Sequence, residues 1–164
     1  MSDMKNIVGI LLLIFFLLSC KEETRYELRL FIKNESTKIL TIKLFPKTEY
    51  IETIYLYDCG VCGGFLSREF ELEASMEREL FASEDLSLKP YILTAQVFDS
   101  ILVTSPEDGS LSLKFSPGYV IGYDKNMYAD SNGWSYDVKN IDLSTMLRRN
   151  PNEFHDYTFS IIIN

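Results

Sequence analysis

Between Tyr26 and Lys33 the chain alternates with period two. Tyr26, Leu28, Leu30 and Ile32 are interleaved with Glu27, Arg29, Phe31 and Lys33. Successive side chains of an extended strand point to opposite faces, so this spacing predicts a strand with one buried face and excludes an amphipathic helix. The pattern returns after Asn34-Glu35-Ser36, where Leu40, Ile42 and Leu44 alternate with Ile39, Thr41, Lys43 and Phe45 until Pro46 stops the run. Turn residues between two alternating segments predict a hairpin of these two strands. Tyr50 to Tyr57 is rich in β-branched and aromatic residues and reads as another strand. Phe98 to Thr104 and Leu111 to Phe115, joined by Ser105-Pro106-Glu107-Asp108-Gly109-Ser110, form a second predicted hairpin with Leu111, Leu113 and Phe115 on one face. A last strand is expected from about Tyr157 to Ile163.

Two segments depart from simple alternation. Residues 68–80, REFELEASMEREL, place Leu72, Met76 and Leu80 at helical spacing, but Phe70-Glu71-Leu72 and Glu79-Leu80-Phe81 also alternate around Ala74-Ser75. We read strand, tight turn, strand, with a helix as the alternative. From Asp142 to Asn150, a capping aspartate, Leu143, Met146 and Leu147 on one face, Arg148 and Arg149 at the C-terminal end and the following Pro151 predict a short helix. Many short strands with frequent turns and one helix near the C-terminus describe an all-β, antiparallel β-sandwich in a single domain over residues 26–164.

The strands are preceded by a different kind of segment. Ile7 to Leu18 is an apolar run of twelve residues behind Lys5 and ahead of the small Ser19. A membrane-crossing helix needs about 20 residues, so the layout is that of a signal peptide over residues 1–19. Leu17-Leu18-Ser19-Cys20 resembles the lipobox of bacterial lipoproteins, with Leu18 an uncommon choice at its position. That resemblance implies lipidation of Cys20, which would become the N-terminus and anchor a soluble domain to a membrane. Lys21-Glu22-Glu23 follows at once and resembles the export signal of Bacteroidetes surface lipoproteins, implying an outer-membrane, lipid-anchored and surface-facing location, with residues 20–25 as the tether.

Removing residues 1–19 takes away Asp3 and Lys5, so the mature chain keeps the net charge of −8. Without a basic cluster to displace counterions from phosphates, no nucleic-acid partner is expected.

The strand stretches LFIKNESTKILTIKLF, FELEASMERELF, FDSILVTSPEDGSLSLKF and YTFSII resemble the successive strands of small Bacteroidetes cell-envelope lipoproteins with an immunoglobulin-like β-sandwich. In that pattern acidic residues commonly follow the last strand, whereas here it ends at Asn164. The resemblance implies a fold and an envelope location. It leaves activity open, since sandwiches host many functions.

Catalytic constellations are sparse. His155 is the only histidine, expected in a loop before the last strand, and no Gly-x-Ser-x-Gly elbow or papain-like cysteine context accompanies it. Glu69, Glu71, Glu73, Glu77 and Glu79 have the spacing of a solvated strand face rather than of an acid/base pair across a cleft. Cys59-Gly60-Val61-Cys62 is a Cys-x-x-Cys motif followed by Gly63-Gly64, which suit a first helical turn poorly. A local disulfide outside the cytoplasm is the preferred reading. The alternatives are a thiol-disulfide redox centre and half of a zinc site lacking its other ligands. Neither metal nor cofactor is expected.

Tyr119, Tyr123, Tyr128, Trp134 and Tyr136 are concentrated among polar turn residues, a composition that serves a glycan-binding surface or covers the open end of a core. Asp99-Ser100-Ile101 also resembles the O-glycosylation site of Bacteroidetes proteins, with Ser100 as acceptor. The sequence therefore predicts a non-enzymatic, lipid-anchored module whose partner is the membrane together with an envelope protein or polysaccharide.

Overall fold

The computed structural model describes residues 26–50, 68–129, 133–140 and 153–163. The chain is mostly β. Among the described residues the strands are β1 (Tyr26–Asn34), β2 (Leu40–Pro46), β3 (Glu69–Leu72), β4 (Glu77–Ser83), β5 (Phe98–Thr104), β6 (Ser112–Ser116), β7 (Tyr119–Ile121), β8 (Trp134–Asn140) and β9 (Glu153–Ile161), with one helix, α1 (Pro90–Val97), between β4 and β5. They form two sheets, in the orders β4-β1-β9-β8 and β3-β2-β5-β6-β7.

The predicted faces hold. Leu28, Leu30 and Ile32 of β1 and Leu40, Ile42 and Leu44 of β2 are all buried in one cluster with Ile101, Val103, Leu113, Phe115 and Phe159. The predicted β5–β6 hairpin is present, pairing Ile101 with Phe115 and Val103 with Leu113. Residues 68–80 are strand, turn, strand, and the helical alternative is excluded. Ser75 takes a positive φ of 64° at that turn.

The partners of the strands differ from those expected. β1 and β2 are not a hairpin, because β1 pairs with β4 and β9 in one sheet while β2 pairs with β3 and β5 in the other. The chain crosses between sheets after Asn34, and crosses back between β3 and β4, so two arches lie side by side. Asn34 ties them together. Fully buried, it donates from Nδ2 to the carbonyls of Lys38 and Leu72, both at 2.8 Å, and its Oδ1 accepts from the Ser36 amide at 3.0 Å and hydroxyl at 2.6 Å. Its backbone N–H donates to Met76 O, and its carbonyl accepts from Ser75 N. A buried amide with all these bonds made fixes the crossing in a way that two facing hydrophobic strands do not.

The sheets are also not wholly antiparallel. β1 runs parallel to β9 along its whole length, from Tyr26 beside Glu153 to Asn34 beside Ile161. The last strand begins at Glu153, four residues earlier than expected, and so contains His155 rather than following it.

Among the described residues the one helix is mid-chain. Pro90 opens α1, where a missing N–H costs nothing, and Thr94 Oγ1 donates to Pro90 O at 2.7 Å. The helix expected over Asp142 to Asn150 lies outside the described residues. So does the strand expected from Tyr50 to Tyr57 except for Tyr50, which closes a 3-10 turn at Thr48–Tyr50. β8, not anticipated, pairs with β9 and forms the end of its sheet.

Candidate binding surface

Parity along β9 sorts the side chains of the four-stranded sheet. His155, Tyr157 and Phe159 share a face with Leu28, Leu30 and Ile32 of β1 and with Val138, Tyr136 and Trp134 of β8. Phe159 is fully buried, and Trp134 and Tyr123 pack edge-on or tilted against it with centroids at 5.4 and 6.4 Å. Trp134 Nε1 donates to Met127 O at 3.3 Å. A Cβ at Gly133 would collide with the Phe159 ring, so only glycine lets the backbone enter β8 so close to the core.

Toward the other end of β8 the same face opens to solvent. Tyr136 is 52% exposed and Val138 is exposed beside it. The Tyr136 ring lies 4.8 Å from Tyr157 and stacks at 5.9 Å on His155, whose ring is 6.3 Å from Tyr26. Tyr136 Oη and His155 Nδ1 share a hydrogen bond of 2.6 Å. Glu153 Oε1 approaches His155 Nε2 to 2.7 Å without hydrogen-bond alignment, and Nε2 is buried. Burial pushes the Tyr157 hydroxyl above its ordinary pKa, with Tyr136 adding to the effect. The result is an aromatic platform held by ring contacts and one short hydrogen bond, with a carboxylate at its rim. Such a platform can stack on a flat apolar face and bond a hydroxyl at its edge. Among the described residues, the polar contacts of His155 include neither serine nor cysteine.

The opposite face of this sheet carries ions. Asp156, 3% exposed, accepts two bonds of 2.7 Å from Arg29 Nε and Nη2, and Lys139 Nζ reaches it at 2.9 Å. The Arg29 guanidinium lies 4.0 Å from the Phe154 ring centroid and 5.2 Å from that of Phe31. Burial raises the Asp156 pKa, but the Arg29 and Lys139 hydrogen bonds and charges outweigh it and hold the carboxyl below its ordinary range. Glu79 and Glu27 go the other way. Burial pushes both up, Arg29 only partly offsets it, and neighbouring carboxylates add to the rise. Glu79 therefore departs from the solvated glutamate face read in the sequence, while Glu69, Glu71, Glu73 and Glu77 are exposed. With Arg29 committed to Asp156, this cluster closes the outer surface of the sheet.

The five aromatic residues read as one segment do not form one surface. Tyr128 is buried with its hydroxyl unpartnered, and burial first, then the Asp99 charge, raise its pKa well above the ordinary range. Tyr123 and Trp134 pack on the core. Tyr119 is exposed on β7, in the other sheet from Tyr136. Only Tyr136 joins the platform, and its companions Tyr26, His155 and Tyr157 come from β1 and β9. Sequence reading missed these three because strand pairing, not proximity along the chain, brings them together; the alternation of His155 and Tyr157 with Phe159 was the available signal. Ser100 lies half-buried in the central strand β5, opposite Phe45. Cys20, Lys21, Glu22, Glu23, Cys59 and Cys62 lie outside the described residues. Among the described residues no group of three or more metal-ligating side chains occurs, and no helix is long and apolar enough to cross a membrane.

No family model, no curated relative and no solved structure matches the chain.

Proposed function

We propose that this chain is a lipid-anchored protein of the bacterial cell envelope, held in the outer membrane through Cys20 and exported to the surface by Lys21-Glu22-Glu23. In this reading its immunoglobulin-like sandwich acts by binding rather than by catalysis. The observation that carries the binding reading is the Tyr136 platform: an exposed ring stacked on His155 and tilted against Tyr157, with its hydroxyl engaged and Glu153 at the rim. An engaged, stacked ring loses little freedom on binding, and a ligand presenting C–H groups on one face and hydroxyls at its edge fits it. A polysaccharide of the envelope has that chemistry.

Two measurements test the reading. Cys20→Ala should abolish fatty-acid labelling and release the protein from membranes, and continued labelling would overturn the anchor. Envelope polysaccharides should be retained by the soluble domain starting at Lys21 and lost with Tyr136→Ala. Equal retention by that variant would remove the platform from the binding site.

A further inference from the structure

Topology assigns each loop to one of two ends of the fold. The crossings after Asn34 and between Leu72 and Glu77 mark one end, to which Ile161 also comes because it pairs with Asn34. Tyr26, where β1 starts, is therefore at the other end, together with the end of β4 at Ser83 and of β2 at Pro46, which pairs with Phe98. Since α1 runs directly into Phe98, the whole of residues 84–97 is at the Tyr26 end, and so is the turn between Ser116 and Tyr119.

Exposed large apolar side chains accumulate there. Tyr26, Phe45, Leu86, Ile92 and Tyr119 come from five separate segments and are all exposed. Among the described residues, Met76 and Ile162 are the exposed large apolar ones at the crossing end.

We infer that the end of the fold bearing Tyr26, Leu86, Ile92 and Tyr119 rests on the headgroup layer of the membrane that holds the Cys20 lipid. The inference deepens the anchoring reading above and rests on it. Chain geometry decides which end can reach the bilayer. Six residue steps separate Cys20 from Tyr26, a span of about 21 Å at full extension. β1 has nine residues, so the crossing end lies about 27 Å beyond Tyr26 at the rise of a strand. A tether of about 21 Å cannot turn the molecule over to lay the crossing end on the surface. At the Tyr26 end, aromatic and aliphatic side chains meet the interfacial region in which tyrosine is favoured and apolar contact adds to the anchor. With a net charge of −8 the chain gains no overall attraction to anionic lipid, so the contact rests on the apolar side chains and is tested on zwitterionic lipid.

The test uses the lipidated protein in phosphatidylethanolamine and phosphatidylcholine vesicles, footprinted with hydroxyl radicals, against the Cys20→Ala protein in buffer. Modification of Tyr26, Leu86, Ile92 and Tyr119 should fall several-fold on the membrane, with Met76 and Ile162 unchanged. Leu86→Asp combined with Ile92→Asp, both at exposed sites, should restore labelling of Tyr26 and Tyr119 without altering fatty-acid content. Lipidated, vesicle-bound protein labelled equally at both ends, or protected along Tyr136 and Val138 instead, overturns the inference and leaves the anchor standing. Absence of fatty acid on Cys20 overturns the anchor and the inference with it.

Discussion

Replacing Asn34 with alanine should cost the fold more than any exposed substitution. The side chain is fully buried and makes four hydrogen bonds at the corner where two arches meet. Lys38 O keeps a bond from Ser36 Oγ at 3.2 Å and Leu72 stays in the ladder opposite Leu40, so each of these carbonyls loses one donor, while the Ser36 amide loses its buried partner outright. An orphaned buried group costs about 1–3 kcal/mol and each of the two lost carbonyl bonds about 0.5–1.5 kcal/mol, so the loss is about 2–6 kcal/mol. That is a large share of the roughly 5–15 kcal/mol that holds a domain together. Urea unfolding of the protein reads the change as a lower midpoint with an unchanged slope. Asn34→Asp keeps the acceptor for Ser36 but sets a carboxylate against two carbonyls. It should lose at least as much at neutral pH, and recover part as the pH falls and the protonated acid donates one bond. A loss below about 1 kcal/mol for Asn34→Ala would refute the argument, since ordinary substitutions reach that value without a network.

Asp156→Asn should cost about 2 kcal/mol at neutral pH by leaving Arg29 and Lys139 without their shared carboxylate. The folded pKa of Asp156 is lowered, so its contribution is complete above the unfolded value and vanishes as the pH falls through the folded one; urea midpoints across an acid-to-neutral series should show this acid-side loss diminished in the variant. Glu79 has the opposite sign: its folded pKa is raised, so ionisation burdens the fold above that value and not below the unfolded one. In the same series Glu79→Gln should gain on the parent as the pH rises, and parallel curves would contradict the burial argument. Cys59 and Cys62 should show no free thiol in oxidised protein, and reduction should cost less than the ~3 kcal/mol of a loop of about 15 residues because their ring is small. Turnover of a model disulfide, lost in Cys59→Ser, would favour redox chemistry instead.

Alternation along the strands was legible because burial acts on one face at a time. Leu28, Leu30 and Ile32 point inward wherever β1 pairs, so their spacing reports a face and carries no information about a neighbour. This is why residues 34–39 read as a hairpin turn and form an arch: the choice is made by Asn34 reaching Leu72 O across 38 residues. The platform was illegible for the same reason, since Tyr26 and His155 meet only through the parallel register of β1 and β9. α1 carried a local signal in Pro90, and its buried Pro90, Leu93, Thr94 and Val97 follow helical spacing, but the apolar Tyr91, Ile92 and Ala95 on the other side mask that stripe in PYILTAQV. β8 escaped notice because, at the end of its sheet, it is exposed from Ser135 to Asn140 and its apolar residues have no buried face to mark.

The parallel pairing of β1 with β9 also sets the order of folding events. The Arg29–Asp156 bond joins residues 127 apart in sequence, and all nine residues of β1 have partners in the last strand. β1 can meet β4 early, but the sheet remains open along its other edge until Ile161 has been delivered. Closing so long a loop costs entropy before any contact repays it, which makes this step slow and the preceding chain prone to pairing with other chains through that edge. The chain thus gains its complete β-sheet only once β9 is in place, and truncation before β9 should yield aggregates rather than a smaller domain.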